Sequence, residues 1–85
     1  MYQLKFHPRV KKQVKKLHPT DQKRFFTALS RLTKNPFSKN LSVKKLVNTK
    51  SAYRLRIGDF RIIYSLDKKT RIIYVWEVAY RGSIY

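Results

Sequence analysis

The sequence contains no cysteine, and among its 85 residues there are only two glycines and four acidic residues. Without cysteine the chain has no disulfide framework, no thiolate metal site and no cysteine nucleophile, which fits a reducing compartment. Two glycines, Gly58 and Gly82, cannot build a glycine-rich phosphate loop. The two histidines and the scattered carboxylates do not form the clusters that hold catalytic metal ions. We therefore expect neither a metal nor a cofactor.

Long apolar runs are also missing. No segment approaches the roughly 18 consecutive apolar residues of a membrane span, and the start MYQLKFHPRVKK lacks the apolar stretch of a signal peptide. We expect a soluble, cytoplasmic protein. At this length, residues 1–85 form one small domain with a compact core.

The balance of charge is strongly one-sided. Twenty-one lysines and arginines stand against four acids, which gives a net charge of +17. Such an excess repels itself in the folded state and attracts polyanions through counterion release. The expected partner is therefore a nucleic acid, the ribosome or an acidic protein. A membrane surface is less favoured because no long helix joins the charge to a broad apolar face. A basic protein kept soluble by its charge is the plain alternative.

The first half of the chain has the pattern of a strand and two helices. Residues 2–6 alternate between apolar and polar, which predicts a short strand. A first helix is predicted from Pro8 up to His18 and Pro19, and a second from Thr20 to Asn35. The apolar positions that recur at helical spacing are Val10, Val14 and Leu17 in the first helix, and Phe25, Ala28, Leu29 and Leu32 in the second.

The second half has the alternation of strands. Residues 52–57 and 60–66 form a predicted hairpin around Gly58-Asp59, and Arg71 to Val78 form a further strand. Val43 to Val47 are predicted only as a short extended piece. The resulting fold class is α+β in the order β-α-α-β-β-β, with the N-terminal strand and helical hairpin packed on one face of an antiparallel sheet.

A two-residue turn at Gly58-Asp59 fixes the pairing of the hairpin. Counting outward from Ile57 and Phe60 places Arg56 opposite Arg61. Cross-strand partners share a face, so the hairpin has one face for the helices and one that collects three arginines. The helix-facing set is Tyr53, Leu55, Ile57, Phe60, Ile62 and Tyr64, and the opposite set is Arg54, Arg56, Arg61, Ile63 and Ser65. Which face of the sheet Tyr74 and Trp76 occupy depends on the length of the loop at Asp67, which the sequence does not fix.

Two arginines directly opposite each other are destabilising unless an anion lies between them. Arginine stems also cover apolar sheet surface with their heads in water, which is the ordinary alternative. Three guanidiniums on one small patch, in a chain with so few acids, favour an anion site, and their planar donors suit a phosphodiester. Arg81 joins this cluster if the last strand lies beside the strand that begins at Phe60.

Proton transfer at such a site needs a further group. Arginine is a poor proton donor or acceptor because its pKa is above about 12. His7 and His18 lie near opposite ends of the first helix, so they do not form an acid-base pair, and His18 is interpreted as a helix-end residue. A tyrosine becomes a usable base if several cations stabilise its phenolate.

With these features the sequence resembles the RelE/ParE superfamily of toxins from toxin–antitoxin systems. The resemblance rests on the strand and basic helical hairpin, KKL before the sheet, YRLRIGDFRIIY, and the R-x-x-x-Y ending at Arg81 and Tyr85. It implies a RelE-like fold and a ribosome-dependent, metal-independent endoribonuclease that cuts mRNA in the ribosomal A site and inhibits translation. It also implies a cognate acidic antitoxin, RelB-like and partly disordered when free.

The resemblance assigns roles by position. Arg54 and Arg56 match paired basic residues that hold RNA and favour an ionised tyrosine, and Arg61 matches the arginine that stabilises the transition-state phosphate. Arg81 is similar to the arginine near the leaving group, and Tyr85 to the C-terminal tyrosine proposed as the base. Tyr80 and Tyr64 are alternative bases. The candidate RNA- or ribosome-binding residues are Lys11, Lys12, Lys15, Lys16, Lys44 and Lys45.

Two other functions remain open on the same fold. A ParE-like member would inhibit DNA gyrase and would not need an RNA-cleaving cluster. An inactive relative would be a plain basic RNA-binding module. Fold alone does not decide among them, because function depends on the site.

Overall fold

The computed structural model describes residues 1–36, 41–46 and 51–80, and within them it contains five strands and two helices. Their bounds are β1 Gln3–Phe6, α1 Pro8–Lys15, α2 Pro19–Lys34, β2 Ser42–Lys45, β3 Ala52–Ile57, β4 Phe60–Asp67 and β5 Ile72–Tyr80. The predicted strand, two helices and three-stranded meander are all confirmed. The extended piece predicted from Val43 is strand β2, and Val47 lies outside the described residues.

Both helices begin at a His-Pro pair. His7 and His18 are the residues that cap α1 and α2, and in each case proline occupies the first helical turn, where its missing N–H is harmless. The Nδ1 atom of His18 accepts the backbone N–H of Thr20 at 3.3 Å. His18 is thus a helix-end residue as predicted, but it caps the start of α2 rather than the end of α1.

The five strands form one sheet in the order β1-β5-β4-β3-β2. Strands β2 to β5 are antiparallel to their neighbours, as predicted, while β1 runs parallel to β5 and makes the sheet mixed. The parallel pairing of β1 is possible because the two helices follow β1 in the chain and form the long connection that parallel strands need. In this position β1 covers the edge of β5.

The helices pack on one face of the sheet and form the core with it. Its buried side chains come from α1, α2 and the connection between them, from Leu55 of β3, from alternate positions of β4 and from β5. The largest fully buried side chains are Tyr64, Phe25, Phe60, Leu32, Leu55, Ile62, Ile73, Val75 and Val78. We call the other side of the sheet, opposite the helices, the open face.

The turn between β3 and β4 has the predicted register. Gly58 has a φ of +53°, a left-handed conformation that glycine adopts without the steric cost of a Cβ. Ile57 pairs with Phe60, and Arg56 pairs with Arg61. The sequence therefore predicted both the position of the turn and the two faces of this hairpin.

A β-bulge in β5 settles the facing of its aromatic residues. Ile63 of β4 pairs with Glu77 and the next residue, Tyr64, pairs with Val75, so Trp76 is an extra residue on β5. Val75 and Val78 are both buried although they are three residues apart. The bulge thus leaves Glu77 on the open face, opposite Ile63, where strict alternation would have sent it into the core.

Within the described part of the chain, neither helix is long and apolar enough to cross a bilayer.

Candidate functional site: the cationic part of the open face

Four cationic side chains lie on adjacent positions of the open face. Arg56 pairs with Arg61 across the β3–β4 ladder, and Arg54 pairs with Lys44 across the β2–β3 ladder. Paired strands lie about 5 Å apart, and alternate residues along a strand about 7 Å apart. The four Cα atoms therefore occupy a patch roughly 10 Å across, the size of a short stretch of phosphodiester backbone. We call Lys44, Arg54, Arg56 and Arg61 the cationic face.

The acidic residues of the chain do not neutralise Arg54 or Arg56. Within residues 1–36, 41–46 and 51–80, neither arginine forms an ion pair, and both positions are at least partly accessible. An anion that approaches the open face thus meets two guanidiniums whose donors are available.

Each acid is engaged elsewhere or lies in a turn. Asp21 pairs with Arg24 at 3.7 Å, and Glu77 pairs with Arg9 at 4.0 Å. The carboxylate of Asp67 accepts the backbone N–H groups of Thr70 and Lys69, and these bonds lower its pKa. Asp59 belongs to the exposed turn of the hairpin.

The structure brings together only some of the predicted site residues. Arg54, Arg56 and Arg61 lie on one face as predicted, and Lys44 joins them. Lys45 alternates with Lys44 and pairs with Tyr53, so it belongs to the other side of the sheet. The exposed lysines of α1 and its C-terminal cap form a separate surface on the helical layer, and they are Lys11, Lys12, Lys15 and Lys16. Arg81 and Tyr85 lie outside the described residues.

Tyr64 does not suit the role of a base. Its side chain is 1% exposed and belongs to the core between sheet and helices. Burial, together with the neighbouring Tyr53, raises the pKa of Tyr64 to about 12. A phenol that is enclosed and harder to ionise than usual cannot reach a substrate on the open face.

Tyr80 is committed to a structural network on the helical side. It pairs with the buried Phe60, and its hydroxyl accepts the backbone N–H of His18 at 2.7 Å. The same hydroxyl donates to Asp21 Oδ2 at 3.1 Å. These bonds tie the end of β5 to the start of α2, so Tyr80 is poorly placed to act as a base on the open face.

Three residues of the open face are not predictable from the sequence pattern. Glu77 lies among apolar neighbours in the middle of a strand, and only the bulge places it on this face. Trp76 and Tyr74 lie on the same side, because Trp76 Nε1 donates to Ser65 Oγ and Ser65 pairs with Tyr74. The aromatic content of RIIYVWEV is visible in the sequence, but its facing requires the register.

The chemistry of the cationic face is that of an anion site. Guanidinium and ammonium groups are the side-chain groups suited to bind phosphate oxygens and to stabilise negative charge that develops on phosphorus in a reaction. None of the four groups of the cationic face transfers protons readily at neutral pH. Among the described residues, no group of three or more His, Cys, Asp and Glu side chains is placed to hold a metal ion.

A second basic feature lies between α2 and the β2–β3 edge. It is a groove of about 480 Å³ whose floor is apolar and whose rim carries several cations. The floor includes Ala28, Leu41, Leu55 and Ile57, and the rim includes Lys23, Arg24, Arg31 and Arg56. Arg56 belongs both to the lining of this groove and to the cationic face.

The fold and site define a small α+β protein with a basic sheet face that fits a polyanion. The family model for the ParE toxin of the type II toxin–antitoxin system parDE matches residues 4–85. A curated relative described as "Putative toxin RelE1", from Methanocaldococcus jannaschii, is 33% identical and covers 99% of this chain and 94% of its own length. The chain belongs to the RelE/ParE toxin family of type II toxin–antitoxin systems, as a RelE-family toxin.

Solved structures agree in fold. The archaeal RelE–RelB complex from Pyrococcus horikoshii OT3 matches with a TM-score of 0.85 and 32% identity, covering 96% of this chain and 97% of that one. The isolated RelE toxin of E. coli matches with a TM-score of 0.79 over 100% of this chain and 92% of that one. At 21% identity the second comparison concerns the fold alone.

Proposed function

We propose that this toxin is a ribosome-dependent endoribonuclease that cleaves mRNA in the A site and thereby inhibits translation. The observation that carries the proposal is the cationic face, where Arg54, Arg56 and Arg61 present their guanidiniums on one side of the sheet. Membership of the RelE/ParE toxin family is consistent with this reaction, and the resemblance of the sequence assigns RNA-cleaving roles to these positions.

In the proposed reaction the 2′-hydroxyl of a nucleotide attacks the adjacent phosphorus. The 2′-hydroxyl gives its proton to the base, the bond from phosphorus to the 5′-oxygen of the next nucleotide breaks, and that oxygen takes up a proton from solvent, which leaves a 2′,3′-cyclic phosphate and a 5′-hydroxyl. Arg61 stabilises the charge on the pentacovalent phosphate, while Arg54 and Arg56 hold the backbone. The resemblance gives Arg81 the place near the leaving group and Tyr85 the role of base. Both follow β5 in the chain, whose residue Ala79 pairs with Arg61.

In this proposal the ribosome holds the mRNA in place while the toxin cuts it. The exposed lysines of α1 form a basic surface on the helical layer, separate from the cationic face. Two separate basic surfaces let one protein contact ribosomal RNA on one side and mRNA on the other. Lys45, on the side of the sheet away from Lys44, belongs to the ribosome-contacting set in this proposal.

The proposed inhibitor is an acidic, partly disordered antitoxin of the RelB kind. The matching structures from Pyrococcus horikoshii and Methanococcus jannaschii are complexes of RelE with RelB. A chain with a net charge of +17 favours an acidic partner. The groove between α2 and the β2–β3 edge offers such a segment an apolar floor and a basic rim, and Arg56 connects it to the cationic face.

Primer extension on translating ribosomes tests the enzyme. The purified protein should produce mRNA cuts within the A-site codon, and the products should carry a 5′-hydroxyl. Intact mRNA on ribosomes that bind the protein would count against the proposal.

A second candidate is inhibition of DNA gyrase. The observation that favours it is the match of residues 4–85 to the family model of the ParE toxin. A supercoiling assay separates the two, because a gyrase inhibitor would block supercoiling and leave ribosome-bound mRNA intact. Binding of RNA without either effect would identify an inactive basic RNA-binding relative.

A further inference from the structure

An aromatic cluster shares the open face with the cationic face. The ring centroids of Tyr74 and Trp76 are 4.4 Å apart, and those of His7 and Trp76 are 5.9 Å apart. Trp76 is 42% exposed, so a large part of its ring is accessible on the open face. The roles assigned above to the arginines and lysines give this cluster no function.

The indole is held in place at its edge. Its Nε1–H donates to Ser65 Oγ, and Ser65 lies on the neighbouring strand directly opposite Tyr74. His7 is fixed in turn, because its backbone N–H donates to the carbonyl of Val75 at 2.8 Å and its ring caps α1. An aromatic ring fixed before binding loses little conformational entropy when a flat ligand stacks on it.

The aromatic cluster and the cationic face are separated by a distance that one or two nucleotides of RNA would span. Glu77, the neighbour of Trp76 in sequence, begins a row of paired positions that continues through Ile63 and Arg54 to Lys44. Trp76 is three residues from Ala79, which pairs with Arg61. From strand geometry, the Trp76 backbone is about 10 Å from those of Arg54 and Arg61.

Glu77 is the one acid between the two parts, among the residues that the structure describes, and it is offset by Arg9. The Arg9 guanidinium lies 4.0 Å from its carboxylate, and Arg9 Nε also donates to the His7 ring. An RNA strand that runs from the arginines to the aromatic rings therefore passes a carboxylate whose negative charge Arg9 offsets.

We propose that Trp76, supported by Tyr74, is a stacking platform for a base of single-stranded RNA whose phosphates lie on the cationic face. Aromatic rings beside a positive groove are the combination that binds unpaired bases, since every base has a π-face and the backbone follows the cations. The proposal rests on RNA being the substrate and adds a base-contacting residue to the backbone contacts. The alternative ligand for the Trp76 ring is an apolar side chain of a protein partner.

The test uses the fluorescence of Trp76, which is the only tryptophan of the chain. The probe is a short single-stranded oligoadenylate with 2′-O-methyl riboses, which cannot undergo 2′-hydroxyl attack. Stacking should quench the indole as the oligonucleotide binds. Inorganic polyphosphate of similar charge should bind to the cations and leave the fluorescence nearly unchanged. Equal signals from both probes, or saturation by RNA without quenching, would overturn the proposal.

Variants supply the second measurement, with binding followed by anisotropy of a labelled oligonucleotide. Trp76→Leu should weaken binding roughly fivefold to a hundredfold, while Trp76→Phe, which keeps an aromatic face, should stay within about threefold. The matched control is Phe26→Leu, because Phe26 is 60% exposed on α2, outside the open face. Equal affinities for Trp76→Leu and the control, with both folded by thermal unfolding, would contradict the platform.

The two failures are distinguishable. If the platform exists but the enzyme proposal is wrong, quenching and the Trp76→Leu defect appear while ribosome-bound mRNA stays intact. If the enzyme proposal is right but the platform is wrong, mRNA is cut and Trp76→Leu binds and cuts like the unmodified protein. Quenching by an acidic peptide in place of RNA would identify the alternative ligand.

Discussion

Arg56 and Arg61 lie directly opposite each other across the β3–β4 ladder, on the face of the sheet that the helices leave open. A like-charge pair at this position is unfavourable in the free protein. The fold tolerates it because the buried residues of the opposite face secure the hairpin to the helices. The proposed RNA ligand would bring negative charge to this pair of arginines.

Removing this repulsion should leave the stability of the protein unchanged or higher while it weakens RNA binding. We expect Arg56→Ala to keep or raise the free energy of unfolding, by up to about 1 kcal/mol, because it abolishes a like-charge cross-strand pair. RNA affinity should fall, and the slope of log affinity against log salt should become about 0.7 less steep, because one phosphate of a single strand is no longer neutralised. Lys69→Ala, which removes the same charge from the exposed loop after β4, is the control. An unchanged salt slope for Arg56→Ala would contradict a phosphate-binding role.

The stability of variants at Gly58 should depend on which residue replaces the glycine. Its φ of +53° suits asparagine better than alanine, and a Cβ there would lie 3.2 Å from Arg24 Nη1. We expect Gly58→Ala to lower the free energy of unfolding by about 1 kcal/mol. Gly58→Asn should cost less, and chemical denaturation measures both. Equal stability of the alanine variant and the unmodified protein would mean that the turn adopts another conformation.

The hydroxyl of Tyr80 should contribute to stability rather than to chemistry. Tyr80→Phe removes the bonds to the His18 N–H and to Asp21, each worth about 1 kcal/mol. For a domain of this size the melting temperature should fall by roughly 4–8 °C for each kcal/mol of stability removed. Tyr74→Phe is the matched control, because the Tyr74 hydroxyl has no hydrogen bond within the described residues. A Tyr80→Phe protein that is as stable as the control would contradict the network.

Stability should also fall in alkaline solution through Tyr64. The raised pKa of about 12 means that the unfolded chain loses this proton first, near its ordinary value of about 10. The folded state then binds more protons than the unfolded state, so its advantage decreases as pH rises from about 10 through 12. Tyr64→Phe removes this dependence, and denaturation at several alkaline pH values compares the two proteins. A parallel decline in both would assign the effect to other groups.

Local rules were sufficient for the helices and the hairpin. The apolar spacing of Phe25 and Leu29, and the glycine at the turn between two alternating runs, each depend on neighbours in sequence. The register of Arg56 opposite Arg61 followed from that turn, and the structure confirms it. Short-range patterns thus predicted the part of the site that β3 and β4 carry.

Long-range pairing decided the rest. Lys44 reaches Arg54 only because β2 adds to the β3 edge, and the sequence showed no more than an extended piece there. Glu77 reaches the open face through a bulge whose position depends on the pairing of β5 with β4. The same bulge determines how Trp76 relates to the arginines. No periodicity within RIIYVWEV carries this information, since it arises between strands.

The central claim, that the cationic face is the catalytic phosphate site, is tested most directly by the single-turnover cleavage rate of mRNA in preformed ribosome complexes. Arg61→Ala should slow cleavage roughly a hundredfold to a thousandfold, since it removes a group that stabilises charge on phosphorus. Phe26→Leu should cut at the unmodified rate. Equal rates for Arg61→Ala and the unmodified protein, on ribosomes saturated with each, would contradict the claim.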